Sequence, residues 1–107
     1  MSWIAQFDTQ MLRDGYTPTE AMVYGYLWWH IWKSKAVTCV YPSIWLMKKT
    51  LNISRISIIR AVDKLEKKWL IEVTRRYKQS NGYYVTDFDK YIPCSNYNPE
   101  MMYRLNS

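Results

Sequence analysis

Three glycines, one histidine and two cysteines are all that 107 residues contain of those types, and each scarcity closes off a kind of chemistry. Gly15, Gly25 and Gly82 stand alone, so no glycine-rich loop exists to cradle a phosphate. His30 lies inside an aromatic run with no evident partner, which suits a packed or rim imidazole better than a general base. Cys39 and Cys94 are too few for a disulfide framework and favour a reducing compartment. Together with His30 they lack the close paired spacing of a zinc site. Asp87 and Asp89 share one side of an extended segment and could hold a cation, although two carboxylates at a strand end are more often simply exposed. No enzyme activity, cofactor or metal is expected. Long apolar runs are missing too: Ala21 to Trp32 is interrupted by His30 and falls short of the ~20 residues that a membrane span needs. The N-terminus shows no basic region followed by an apolar core. The expectation is a soluble, cytoplasmic protein with no membrane association.

What the chain does have is positive charge and aromatic rings. Lysine and arginine number 15 against 9 acidic residues, a formal charge of +6, and such a balance favours a polyanionic partner. Six tryptophans, ten tyrosines and two phenylalanines make up 17% of the chain, more than a small three-helix core easily encloses. Some rings must lie near the surface, where they can meet a protein partner, a second copy of the chain, or unpaired bases. The length suits a single domain.

Local signals divide the chain into elements. Residues 2 to 14, with Trp3, Ile4, Phe7, Met11 and Leu12, are compatible with a short amphipathic helix ending at Gly15. Thr17-Pro18-Thr19-Glu20 is a capping box with proline at the first helical position, and it starts a long helix running to about Lys35. In that helix Val23, Leu27 and Ile31 form one stripe, Tyr24, Trp28 and Trp32 a second, and Met22, Tyr26 and Trp29 a third. At about 100° per residue these cover most of the circumference, so the helix needs neighbours on several sides. The favoured coverings are residues 3 to 12 and the tail residues Tyr97, Met101, Met102 and Tyr103; the alternative is an external partner. Val37 to Tyr41 reads as a short edge strand ended by Pro42. Ser43 caps a second core helix to Leu51, with Ile44, Met47 and Leu51 as its seam. Ser54 caps a third, ending near Lys68, in which Ile58, Ala61, Val62 and Leu65 face inward. Leu70 to Tyr77 and Tyr83 to Phe88 read as strands joined by Gln79-Ser80-Asn81-Gly82. Beyond Asp89 lies a tail in which Asn98-Pro99-Glu100 can start one more short helix to Leu105.

This order of helix, strand, helix, turn, helix and hairpin resembles the winged helix-turn-helix superfamily, most closely the domains of replication-initiation proteins and small regulators of plasmids, phages and other mobile elements. The residues that carry the resemblance are Thr17-Pro18-Thr19-Glu20, Tyr41-Pro42-Ser43, Leu51-Asn52-Ile53-Ser54-Arg55, Arg60-Ala61-Val62-Asp63-Lys64-Leu65-Glu66, Leu70-Ile71-Glu72-Val73 and Ser80-Asn81-Gly82-Tyr83. It implies a mainly α fold with a small β-hairpin: a three-helix core, a short edge strand and a two-stranded wing over residues 17–88, with an N-terminal segment (1–16) and a C-terminal tail (89–107). The chain departs from that pattern at Lys48, where a small residue commonly lets two helices cross closely. It departs again at Trp69, in a place usually held by glycine, and at Ile56 and Ile59, where outward polar residues are usual.

The resemblance implies nucleic-acid contact by the third helix, through Arg55, Ser57, Arg60 and Lys64, and by the wing, through Arg75, Arg76, Lys78, Gln79 and Asn81. Helix cations would reach base edges while wing cations contact phosphate. The DNA could be duplex or single-stranded. The plainer reading is a solvated face, because Lys64, Lys67 and Lys68 alternate with Asp63 and Glu66. A second functional expectation is an adaptor that holds a replication enzyme such as a polymerase, primase or helicase, or a homodimer. Its surface would draw on Trp45, Ile56, Ile59, Trp28 and Trp32.

Overall fold

The computed structural model describes residues 9–35, 39–87 and 90–91. Within them four helices precede an antiparallel hairpin: α1 (Thr9–Arg13), α2 (Pro18–Ser34), α3 (Ile44–Leu51), α4 (Arg55–Lys67), β1 (Ile71–Thr74) and β2 (Gly82–Val85). Each long helix begins where a side-chain oxygen can satisfy a free amide. Thr17 accepts from the Glu20 amide at 3.2 Å while the Glu20 carboxylate accepts from the Thr17 amide at 2.8 Å, closing the capping box. Ser43 accepts from the Leu46 amide and Ser54 from the Ser57 amide.

α2 is the centre of the molecule. Ala21, Val23, Tyr24, Gly25, Tyr26, Leu27, Trp28, Trp29 and Ile31 are all buried, and α1, α3, α4 and β2 pack around them. The three apolar stripes of this helix therefore each find a neighbour. Trp28 is only 3% exposed, and Trp32 is half-buried with its indole stacked on Trp28 at 6.2 Å between centroids. The first is thus removed from the surface, correcting its place among the interface candidates, and the second is largely spent on packing. The reason is geometric: a helix apolar on all sides is stable only in the middle of other elements. α4 contributes Ile58, Ala61, Val62 and Leu65 to the core, and α3 contributes Met47 and Leu51.

The N-terminal covering is real where it is described. α1 buries Met11 completely, and Tyr91 closes over the same end by donating its phenol to the Asp14 carboxylate. That bond, then one from Gln10, holds the Asp14 carboxyl below its ordinary range. Residues 2–8, Val37, Thr38, Phe88, Asp89, Cys94 and the tail helix expected after Asn98 lie outside the described residues.

Three local expectations change. Of the edge strand expected over 37–41 only residues 39–41 are described, and they hold a single bridge in which Val40 and Tyr83 exchange backbone bonds at 2.9 and 2.8 Å. The hairpin strands are shorter than the alternation implied, pairing only Ile71 with Val85 through Thr74 with Gly82. Beyond Thr74 the Arg76 backbone and side chain bond to Asn81 and Ser80 across the loop and leave the ladder. Gly82 is needed for close approach rather than for a turn: a Cβ there would sit 2.9 Å from Cys39 Cβ and 2.9 Å from the Tyr41 ring. The left-handed residue of the loop is Lys78.

Trp69 adopts the left-handed conformation at φ 63° in the position where glycine suits best, and its indole is 83% exposed instead of packed. Lys48 is exposed and stays out of the helix crossing. Trp69→Gly is expected to raise the unfolding free energy by about 0.5–1 kcal/mol, the relief of left-handed strain minus the extra chain entropy of glycine. Ile58→Ala is expected to lower it by about 2–5 kcal/mol, whereas Ile59→Ala, one position along, changes it by no more than about 0.5 kcal/mol. Urea denaturation of the three variants checks both the strain and the helix register.

Candidate nucleic-acid interface

The joint between α3 and α4 is built by local chemistry. Asn52 ends α3 in the left-handed conformation at φ 56°, a geometry asparagine tolerates better than most side chains. Two residues later Ser54 caps α4, so the helices are separated by only three residues. Ser54 also donates its hydroxyl to Ser57 Oγ at 2.9 Å, and Ser57 is thereby part of the cap. With the core side of α4 set by Ile58, Ala61, Val62 and Leu65, helical geometry directs Ile56, Ile59, Arg60, Asp63 and Lys67 outward. Ile56 is 63% exposed and Ile59 45% exposed.

The nine expected contact residues separate into two groups. Arg55, Arg60, Lys78 and Gln79 are exposed. Arg55 borders a cleft between α4 and the hairpin, floored by Ile44, Ile59, Val73 and Tyr83, and Arg60 borders a notch beside Thr17 and Glu20. The other five are engaged within the fold. Lys64 turns toward the start of α2, pairing with Glu20 at 3.3 Å and lying over the Tyr16 ring. Arg75 makes a two-pronged bond to Glu66 at 2.9 and 2.8 Å. Arg76 donates Nε–H to the Ser80 carbonyl and covers the Tyr41 ring at 4.1 Å. Asn81 accepts the Arg76 amide, and Ser57 belongs to the cap. Two of the three hairpin cations, and the last of the helix cations, are thus partly neutralised or held before any ligand arrives.

Two residues absent from the expected set complete the surface. Lys48 and Lys49 are exposed on α3 and border an open cleft with Trp45, Asn52, Ile53 and Ser54. The Lys49 ammonium lies 5.1 Å from the centre of the Trp45 ring, which is 65% exposed. A sequence signal for them exists. Residues 21–62 contain no aspartate or glutamate, while Lys33, Lys35, Lys48, Lys49, Arg55 and Arg60 fall inside that span. These six account for the whole net charge of +6; the remaining nine cations balance nine acids. Four of the six sit on α3 and the first two turns of α4.

The remaining titratable groups offer little chemistry. Burial, and then Lys33, pushes the His30 imidazole below its ordinary value, with the Tyr26 and Trp29 rings against it. Among the described residues no cluster of three histidine, cysteine or acidic side chains could hold a metal ion, and no helix is long and apolar enough to cross a membrane. No protein-family model, curated protein or solved structure matches the chain.

The Arg75–Glu66 pair makes a pH prediction. Arg75 holds the Glu66 carboxyl below its ordinary value of 4.5. A carboxyl depressed in the folded state adds stability that is fully present above its unfolded pKa and is lost as pH falls through the folded one. The Arg75 side chain is exposed and that of Glu66 partly so, so the pair contributes about 1 kcal/mol or less. Stability measured by urea denaturation is expected to fall between pH 6 and pH 3, and Glu66→Gln is expected to flatten part of that fall.

Proposed function

We propose that the chain is a non-enzymatic DNA-binding module of the winged-helix type, which presents the α3–α4 joint to the duplex. The observation that carries this reading is the concentration of all net positive charge in an acid-free span, four of whose cations lie on α3 and the start of α4. In this reading the N-terminal half of α4 enters the major groove with Arg55 and Arg60, and Lys48 and Lys49 contact flanking phosphates. Lys78 and Gln79, at the hairpin loop, act as the wing tip. The family resemblance in the sequence suits such a module to replication or its control on a mobile genetic element.

A second reading is favoured by the exposed Trp45, Ile56 and Ile59, apolar side chains that would suit an adaptor holding a replication enzyme. The two readings differ in salt response. Binding to duplex DNA releases counterions, with a slope of about 0.9 in log K against log salt per phosphate contact. Lys48→Ala with Lys49→Ala is therefore expected to reduce the slope by nearly 2, and Lys78→Ala by nearly 1, in anisotropy titrations between 50 and 300 mM salt. Arg75→Ala, whose guanidinium is already engaged by Glu66, is expected to change it far less. Unchanged slopes in the folded lysine variants would transfer the surface to the adaptor reading.

A further inference from the structure

We propose that Ile56 and Ile59 read thymine methyl groups, so that the α4 surface prefers duplexes carrying thymines on adjacent base pairs; this rests on the DNA-binding reading above. Both side chains stand on the outward side of the first two turns of α4, 63% and 45% exposed. Arg55 and Arg60 flank them, and Lys48 and Lys49 lie across the joint. The acids on or bordering that side of the helix, Asp63 and Glu66, are paired with Lys67 at 3.0 Å and with Arg75 at 2.8 Å.

An apolar side chain within a cationic surface gains from burial only if its ligand offers both phosphate and an apolar group. In the major groove, the thymine C5-methyl is that group. An apolar protein surface would instead strip water from four cations without supplying their counter-charge. Charge complementarity therefore favours the duplex. Isoleucine is also stiff at χ1 and loses little freedom on contact. Residues three apart on a helix are separated by about 4.5 Å along its axis, close to one base step of about 3.4 Å. Two methyl groups on neighbouring base pairs thus match the spacing.

The test uses the full chain and a 20-base-pair duplex rich in TT steps, against the same duplex with deoxyuridine replacing every thymine. A second pair compares cytosine with 5-methylcytosine, which restores a methyl at the same groove position in a G·C context. Each contacted methyl is expected to contribute about fourfold in affinity, or about fifteenfold for two, the value of buried methyl groups. Ile56→Ala with Ile59→Ala is expected to bind the thymine duplex as the parent binds the deoxyuridine one and to lose both discriminations. Ile56→Val with Ile59→Val serves as the milder variant should the alanine pair fold poorly, and is expected to show smaller ratios. Equal binding of the thymine and deoxyuridine duplexes by the parent chain would overturn the inference while leaving DNA binding intact. So would methyl discrimination that persists in the folded alanine variant. Failure to bind any of the four duplexes at 50 mM salt would overturn the DNA-binding reading and the inference with it.

Discussion

The structure depends on the burial of α2. A helix with nine buried residues among eleven consecutive positions cannot sit on a surface, and enclosing it places α1, α3, α4 and β2, while β1 packs on β2 and α4. α4 and β2 cover two of its sides, α3 and α1 others, and Tyr91 locks onto the end of α1 through Asp14. Part of the aromatic surplus of the sequence is resolved this way. Trp28, Trp29, Tyr24 and Tyr26 are core residues, and burying rings of this size supplies much of the driving force for a domain this small.

That arrangement also decides which cations are available. α4 lies with one edge toward α2 and the other toward the hairpin. Its Lys64 consequently meets Glu20, and its Glu66 meets Arg75. The first pair joins elements distant in sequence, the second joins α4 to the chain just past β1, and each gives a cation a partner within the fold. No acid lines the cleft at the α3–α4 joint that Lys48 and Lys49 border. The charge asymmetry of the surface is thus a product of pairing as much as of composition, and it shifts the candidate interface from the hairpin toward α3.

Much of the architecture was legible because it is written in short-range chemistry. The caps at Thr17, Ser43 and Ser54 and the inward stripe of α4 all involve residues within one or two helical turns, and each appears where the sequence places it. The exposure of Ile56 and Ile59 follows from the same helical period. Less legible were the ends of the strands, because they depend on which loop groups compete with the ladder. Arg76 bonding to Ser80 and Asn81 cannot be read from alternation. Gly82 resembled a turn glycine, yet it is required by the approach of Cys39 and Tyr41 from another part of the chain.

The three long helices with their capping residues Thr17, Ser43 and Ser54, the hairpin and the excess of positive charge can be read from the chain alone, because each arises from neighbouring residues or from composition. Packing between elements settles that Trp28 is core, that Trp69 carries a left-handed backbone with its ring exposed, and that Lys64 and Arg75 are engaged while Lys48 and Lys49 are exposed. The physical reason is the same in each case. Burial and ion pairing depend on which surfaces meet, and residues 20 and 64 meet only once α4 has packed against α2.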